Sequence, residues 1–499
     1  MPESKNNQRI HDAVIIGAGF GGMGAAIQLR RLGYDDLVIL DREDDLGGTW
    51  HVNHYPGLAV DIPSSTYSYS FEPNPYWTRL FAPGTELKKY AEHVADKYDL
   101  RRHMRFGMVV KRATWHEEDQ HWEVETESGE SIRGTYILTA TGFLSQPKLP
   151  DIPGIDEFRG KVIHTADWDH SYDLNWKRAA VIGTGATAVQ LIPTIADQLS
   201  ELTVYQRTAI WVSPKPDLPV PAPVRSVFAA LPLSQRAVRL VGSSILEVMM
   251  VAGVLHYKKL PAANNMGANL CRSHLKRQIK DRELRRKLTP TYSFGCKRPT
   301  FSNDYYPTFT KKHVHLEINP IQSIDQSGII TEDGQRTDID VLVLATGFDL
   351  WETNFPALEI IGRNGKNLGE FWRQNRFQAY EGIAVPGFPN LLSLNSPYSY
   401  SGLNYFTTIE SQMKHMERLL SEVRRRGSRS FEVTEEANTE FLDRMTARVG
   451  DSIFELGNCS SANSYYFNQH GEATLLRPTT TMNAFWEAGR FDLEDYQYA

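Results

Sequence analysis

The sequence predicts an α/β chain in which one strand–turn–helix–strand unit occurs twice, with a helical insertion inside the second copy. Three observations carry this. A β-branched run, Ala13-Val14-Ile15-Ile16, breaks into Gly17-Ala18-Gly19-Phe20-Gly21-Gly22; a helical pattern follows to Leu32, Gly33 stops it, and a second apolar run covers residues 37–40. The same order recurs downstream: an apolar run at 179–182, then Gly183-Thr184-Gly185-Ala186-Thr187-Ala188, a helical pattern through Leu191 and Ile195, and a strand at 202–205. Each copy is followed later by a strand ending in Ala-Thr-Gly, at 136–142 and at 341–347.

The elements between these landmarks set the domain order. Leu144-Ser145-Gln146-Pro147-Lys148-Leu149-Pro150-Asp151-Ile152-Pro153-Gly154 reads as an extended linker, because proline fixes φ and removes a donor. Residues from about 216 to 290 lack strand alternation and are rich in helix formers, which marks the insertion. The expected division is 1–147 and 345–499 as two parts of one Rossmann-like domain, with 148–344 as a second such domain carrying the insertion.

Composition narrows the function classes. A net charge of −6, with 41% hydrophobic and 23% charged residues, fits a soluble protein and argues against nucleic acid as a partner, since phosphate binding needs a basic surface. The basic runs at 272–287 and 424–429 read as solvated helix faces. Cys271, Cys296 and Cys459 are far apart, with no CxxC and no metal-ligand spacing. This fits a reducing cytoplasm, excludes a disulfide scaffold and gives no metal site. The N-terminus is polar and reads as carrying no secretory signal. The most apolar stretch, 238–255, is interrupted by Arg239 and Glu247; it reads as a buried or tunnel-lining helix, with a membrane-surface contact as the alternative and no spanning helix.

The glycine turns carry chemistry. A tight turn, close approach of backbone to a pyrophosphate and packing of helix on strand each demand a residue without Cβ, and the helix N-terminus then faces the anion. Gly17, Gly19 and Gly22 meet these demands, and Asp41, 19 residues after Gly22, stands where a carboxylate accepts from ribose hydroxyls. In the second loop Gly183, Gly185 and Ala188 take the three places, with Thr184, Ala186, Thr187 and Val189 around them. Nineteen residues after Ala188 comes Arg207, followed by Thr208. A guanidinium at the ribose position pairs with a 2′-phosphate, which points to NADPH in this loop.

Two longer patterns follow. Residues 47–61 read Gly47-Gly48-Thr49-Trp50-His51-Val52-Asn53-His54-Tyr55-Pro56-Gly57-Leu58-Ala59-Val60-Asp61, or GGxWxxxxYPGxxxD. Just after the linker, Phe158, Gly160, His164, Trp168 and Asp169 form FxGxxxHxxxWD. Together they resemble the two signatures of the type I Baeyer–Villiger monooxygenases, a branch of the class B flavoprotein monooxygenases. The resemblance covers about the first 350 residues well and thins beyond. Trp168 favours the ketone-oxidising branch over the nitrogen- and sulfur-oxidising one. His164 alone reads as a structural histidine; the resemblance places it in the hinge between domains.

The resemblance implies FAD in the first loop and NADPH in the second. It implies insertion of one atom of dioxygen beside a ketone carbonyl, giving an ester or lactone by way of an oxygen adduct at flavin C4a. In Phe294-Gly295-Cys296-Lys297-Arg298-Pro299, Arg298 takes the place of the active-site arginine and Lys297 that of a second contact to the 2′-phosphate. Asp61 is then expected beside Arg298 and the flavin, with Thr49, Trp50, Tyr67 and Val110 as further flavin contacts. The partner is a small hydrophobic ketone or sulfide. Where many relatives carry a tryptophan touching NADP⁺, this chain has Cys459-Ser460-Ser461-Ala462-Asn463-Ser464-Tyr465-Tyr466, to which no cofactor contact is assigned.

Three rivals share parts of the pattern. A sulfide or amine oxygenase uses the same scaffold, and beyond Trp168 the sequence does not separate the two. A pyridine nucleotide–disulfide oxidoreductase also pairs two such loops, but no cysteine precedes Cys271. A non-catalytic NADPH sensor would not need both signatures and the Lys297-Arg298 pair. Oligomeric state and substrate identity are not legible.

Overall fold

The computed structural model of the chain describes residues 9–402 and 404–499, with Met249 and Met250 described by backbone alone; the polar N-terminal octet thus lies outside the described residues. A mixed sheet and a parallel sheet organise it. In the first, Ile10–Ile16 runs parallel to Leu37–Leu40 on one side and to Ser131–Thr139 on the other. Met104–Arg105 extends the sheet beyond 37–40, and Val110–His116 and His121–Thr126 add an antiparallel wing next to Ser131–Thr139. The last third of the chain returns here: Leu391–Ser393 pairs in parallel with Ser131–Thr139, and Glu359–Ile361 with Val110–His116.

The second sheet is wholly parallel, in the order Val314–Glu317, Glu201–Tyr205, Arg178–Ile182, Val341–Leu344, Lys161–His164. Its central strands are apolar runs with no polar alternation because helices or loops cover both faces. A small antiparallel meander, Ile321–Ile324, Gly328–Thr331 and Arg336–Asp338, packs beside it.

The helix Tyr405–Arg426 packs against the helix Phe20–Arg31, which follows the first glycine turn. Asn404 caps its start by accepting from Phe406 N–H, and Gly427, in the left-handed region at φ +68°, ends it. It lies so close to the helix Phe20–Arg31 that a Cβ on Gly24 would stand 2.6 Å from Ile409. The chain crosses between the two sheets twice, and the crossings pair with each other: Lys148 N–H donates to Gly347 O at 2.9 Å and Asp349 N–H to Gln146 O at 2.8 Å. A two-stranded strap therefore joins the halves.

The region of the insertion folds as Ala222–Ala230, Pro232–Glu247, a π-helical stretch Val248–Leu255, Pro261–Gln278 and Arg282–Lys287. The expectation of a buried helix over 238–255 holds only at its end. Val251, Val254 and Leu255 are buried, whereas Val238, Leu240, Val241, Ile245 and Val248 face outward. The reason is polar. Gln235 and Arg239 take the inner face, donating to the carbonyl oxygens of Asn74 and Ser68, so the aliphatic side turns away.

Candidate active site between two nucleotide loops

Each glycine turn sits at the carboxyl end of its sheet, and the same contact builds both. Gly17 has φ +114°, and a Cβ there would stand 2.3 Å from Ala140 O; Gly183 has φ +116°, and its Cβ would stand 2.3 Å from Ala345 O. Those alanines open the two Ala-Thr-Gly endings, so the repeated tripeptide is the wall against which each turn closes. Gly22 packs its helix on the turn, since a Cβ would meet Gly17 O at 1.8 Å, and Ala188 is buried at the corresponding place. Gly185 faces open space, and Gly19 faces only the backbone of Gly48 at 3.5 Å. Neither helix start is capped by a side chain, which leaves backbone N–H groups directed at the position of an anion. Both cradles fit a pyrophosphate.

Around the first loop, Asp41 accepts from the N–H groups of Ala18 at 2.6 Å and Glu43 at 3.0 Å, and burial pushes its carboxyl above the usual range. Val110 enters beside it: Gly107 and Met108 donate backbone N–H to Glu43 O and Asp41 O. Thr49 opens a short helix whose Trp50 Nε1 donates to Tyr67 Oη at 3.2 Å. The same signature reaches across to the second unit. Tyr55 Oη donates to Gln190 Oε1 at 2.9 Å, Gln190 Nε2 donates to Ala59 O, and a Cβ on Gly57 would stand 2.5 Å from Thr194. The Tyr-Pro-Gly turn is thus the seat of the helix Ala186–Ile195.

At the second loop Thr184 Oγ1 donates to Thr208 O at 2.9 Å, tying the turn to the strand end that carries Arg207. Arg207 and Lys297 lie near each other, and burial followed by the charge of Arg207 lowers the Lys297 ammonium pKa below the ordinary lysine value. Among the described residues the one charge acting on Lys297 is that of Arg207, so two cations gather without a carboxylate between them. That is the donor set a 2′-phosphate needs.

Arg298 is held as a fork. Its Nη2 and Nε each lie 2.8 Å from a carboxylate oxygen of Asp61, and its Nη1 donates to Tyr400 Oη at 3.3 Å. Burial alone would lower the pKa of the guanidinium, but Asp61 outweighs it, and the group stays cationic well above its ordinary value. Tyr465 and Tyr466 stand close enough to act on the same charge. His164 ends its strand at the strap: its Nδ1 accepts from Ala166 N–H at 3.1 Å and its Nε2 meets Thr346 Oγ1 at 3.4 Å, while Thr346 donates to Lys148 O. Burial lowers its pKa, and Trp168 is packed in the core of the second unit.

The segment left without a role comes to the site. Asn463 Nδ2 donates to Thr208 Oγ1 at 2.8 Å, and Trp351 Nε1 donates to Tyr465 O at 2.9 Å. Tyr400, Tyr465, Tyr466 and Asn463 were not legible as site residues. A second correction concerns the cysteines. Cys296 and Cys459 form a disulfide across 163 residues, which fixes the segment before Lys297 to the segment of Asn463 and Tyr465. Sequence spacing cannot show a pair so distant, and the cysteines no longer argue for a reducing compartment. Cys271 alone is free, its thiol buried and pushed up to about 12.

Two glycine cradles, a paired cation site and a carboxylate-held arginine between them define an NADPH-dependent flavoenzyme. The comparisons agree and narrow it. Residues 14–226 match the family model described as pyridine nucleotide-disulphide oxidoreductase. A Baeyer–Villiger monooxygenase of Streptomyces coelicolor is 38% identical, over 98% of this chain and 94% of its own. One of Pseudomonas aeruginosa is 36% identical, over 90% of this chain and 84% of its own. The NADP⁺-bound crystal structure of cyclohexanone monooxygenase from Rhodococcus sp. Phi1 superposes with a TM-score of 0.86 at 29% identity, covering 98% of this chain and 99% of that one. The chain belongs to the Baeyer–Villiger monooxygenases, which use FAD, NADPH and dioxygen to turn ketones into esters or lactones.

Proposed function

We propose that this chain oxidises small apolar ketones to esters or lactones at a site centred on Arg298. Structures similar to it hold cyclohexanone or ε-caprolactone, which supports a compact ketone as substrate. The observation that carries the reading is the Arg298–Asp61 fork, flanked by Tyr400 and placed next to the Arg207–Lys297 pair.

Gly17, Gly19, Gly22, Asp41, Thr49, Trp50, Tyr67 and Val110 would hold FAD, and residues 183–189 with Arg207, Thr208 and Lys297 would hold NADPH. Bound there, the two cofactors supply the electrons and the activation of dioxygen. The chain supplies the rest. Arg298 cannot lose its proton in this setting and offers a fixed charge where negative charge gathers during oxygen transfer to the carbonyl carbon. Asp61 sets the direction of that charge, and Tyr400 holds its third nitrogen. The tyrosines at 400, 465 and 466 crowd the cation and leave its side chain 17% exposed, and this limited access of water strengthens its field. His164 and Thr346 tie the strap on which the second unit turns.

Incubating the FAD-loaded enzyme with NADPH, dioxygen and either cyclohexanone or a simple aryl methyl sulfide tests this. Lactone as the main product is expected. Sulfoxide with no lactone would assign the site to heteroatom oxidation.

A further inference from the structure

The helix Pro232–Glu247 is amphipathic in the wrong sense for a soluble protein. Its one buried residue is polar: Gln235 is 3% exposed and donates to Asn74 O. One turn on, Arg239 donates to Ser68 O, and Gly242 lies against Thr66, where a Cβ would come within 3.1 Å. Positions 235, 239 and 242 share one face, at the i, i+4, i+7 spacing. The opposite face is aliphatic and open: Leu233 is 75% exposed and Val248 66%, with Leu240 and Val241 between them. Only a quarter of the most apolar stretch within residues 232–255 is buried.

A second element continues this surface. Both carboxylate oxygens of Glu247 accept from Thr481, at 2.6 Å each, and so tie the helix Thr481–Ala488 to the end of the first. The next residue, Met482, is 81% exposed, and Trp486 is exposed with the Arg490 guanidinium 4.7 Å above its ring. Charge selects the partner. From 222 to 248 the chain has three arginines, of which Arg239 is turned inward onto Ser68 and Arg236 is exposed, and one carboxylate, Glu247, which is already engaged, although the whole chain is at −6. An aliphatic face rimmed by arginine and tryptophan, with no free carboxylate, complements an anionic lipid surface. Charge at 236, 239 and 247 makes it a helix that lies on a bilayer rather than one that spans it.

We propose that this outward face docks on the surface of an anionic lipid bilayer and that the enzyme draws apolar substrate from it. The same helix leads inward: Val251, Val254 and Leu255 border a small cavity with Tyr400, the partner of Arg298. The substrate-drawing half rests on the ketone-oxidation reading. The docking half does not, because vesicle binding is read without turnover.

Flotation of the FAD-loaded full chain with vesicles of phosphatidylcholine and phosphatidylglycerol (3:1) tests it, beside Leu240→Glu/Val241→Glu, whose positions are exposed on the outward face. The wild type is expected to float with these vesicles and less with phosphatidylcholine alone. The variant should bind at least tenfold more weakly at unchanged flavin content and unchanged turnover of cyclohexanone. Three results overturn the proposal: a wild type that stays below the vesicles, a variant that floats equally well, or a wild-type dimer that the variant converts to monomer without any vesicle binding. The last would assign the face to a second copy of the chain.

Discussion

Arg298 and Asp61 meet fork to fork, with Nη2–Oδ1 and Nε–Oδ2 both at 2.8 Å, although they lie 237 residues apart. The geometry fixes the guanidinium in one plane and leaves Nη1 to Tyr400. Removing the cation should therefore separate two half-reactions. Arg298→Ala is expected to retain FAD and to be reduced by NADPH at a near wild-type rate. Ester formation should drop by roughly a hundredfold or more, the scale of losing one fixed charge stabiliser. Asp61→Ala should also lower product formation, and the double variant should lose little beyond Arg298→Ala, because the two act as one unit. Stopped-flow reduction and product analysis on the three variants check this.

Arg207 and Lys297 predict cofactor choice. Arg207→Ala should raise the KM for NADPH by about 10-fold to 100-fold, the cost of one charge-assisted pair, with little change for NADH. Lys297 adds a pH dependence. Its pKa is lowered by burial and by Arg207, so in the free enzyme it loses its proton below the ordinary lysine value. A bound 2′-phosphate favours the charged form, so binding takes up a proton and weakens as pH rises through that range. The KM for NADPH should climb on the alkaline side, and Lys297→Arg, which stays charged, should flatten the climb.

Two glycines of one loop should fail differently. Gly183→Ala puts a methyl 2.3 Å from Ala345 O at a positive φ, so it should destabilise the second unit and lower its melting temperature. Gly185 has an ordinary φ of −71° and no neighbour within 4 Å. Gly185→Ala should fold with an unchanged melting temperature and still lose NADPH affinity, because the methyl occupies pyrophosphate space. Thermal melts paired with NADPH titrations separate the two effects.

The cysteines allow a count. Unfolded without reductant, the purified chain should show one reactive thiol, Cys271; after reduction it should show three. Cys459→Ser should lower unfolding stability by about 2–4 kcal/mol, the usual effect of opening a long loop. It should also raise the KM for NADPH, because Asn463 is then held less firmly on Thr208.

The parts of this site that were legible in the sequence are those written in consecutive residues. Gly17 to Gly22, Gly183 to Ala188 and the 47–61 signature declare their geometry because a turn needs its glycines side by side. The Ala-Thr-Gly endings were visible as a repeat, yet their use as walls for Gly17 and Gly183 needed the sheets. Tyr400, Tyr465 and Asn463 sit in irregular segments with no periodic signal and reach Arg298 and Thr208 only through packing of the C-terminal third. The stretch 238–255 reads from sequence as a buried or tunnel-lining helix, because its apolar residues stand out and its polar contacts do not. Which side turned inward was decided by two carbonyls, on Ser68 and Asn74, more than 150 residues away.

The most direct measurement follows labelled oxygen. Enzyme loaded with FAD, given NADPH, ¹⁸O₂ and cyclohexanone, should form lactone carrying one ¹⁸O atom in the ring, with one NADPH consumed per lactone. NADPH consumption that yields only hydrogen peroxide, or lactone without the label, would contradict ketone oxygenation at Arg298.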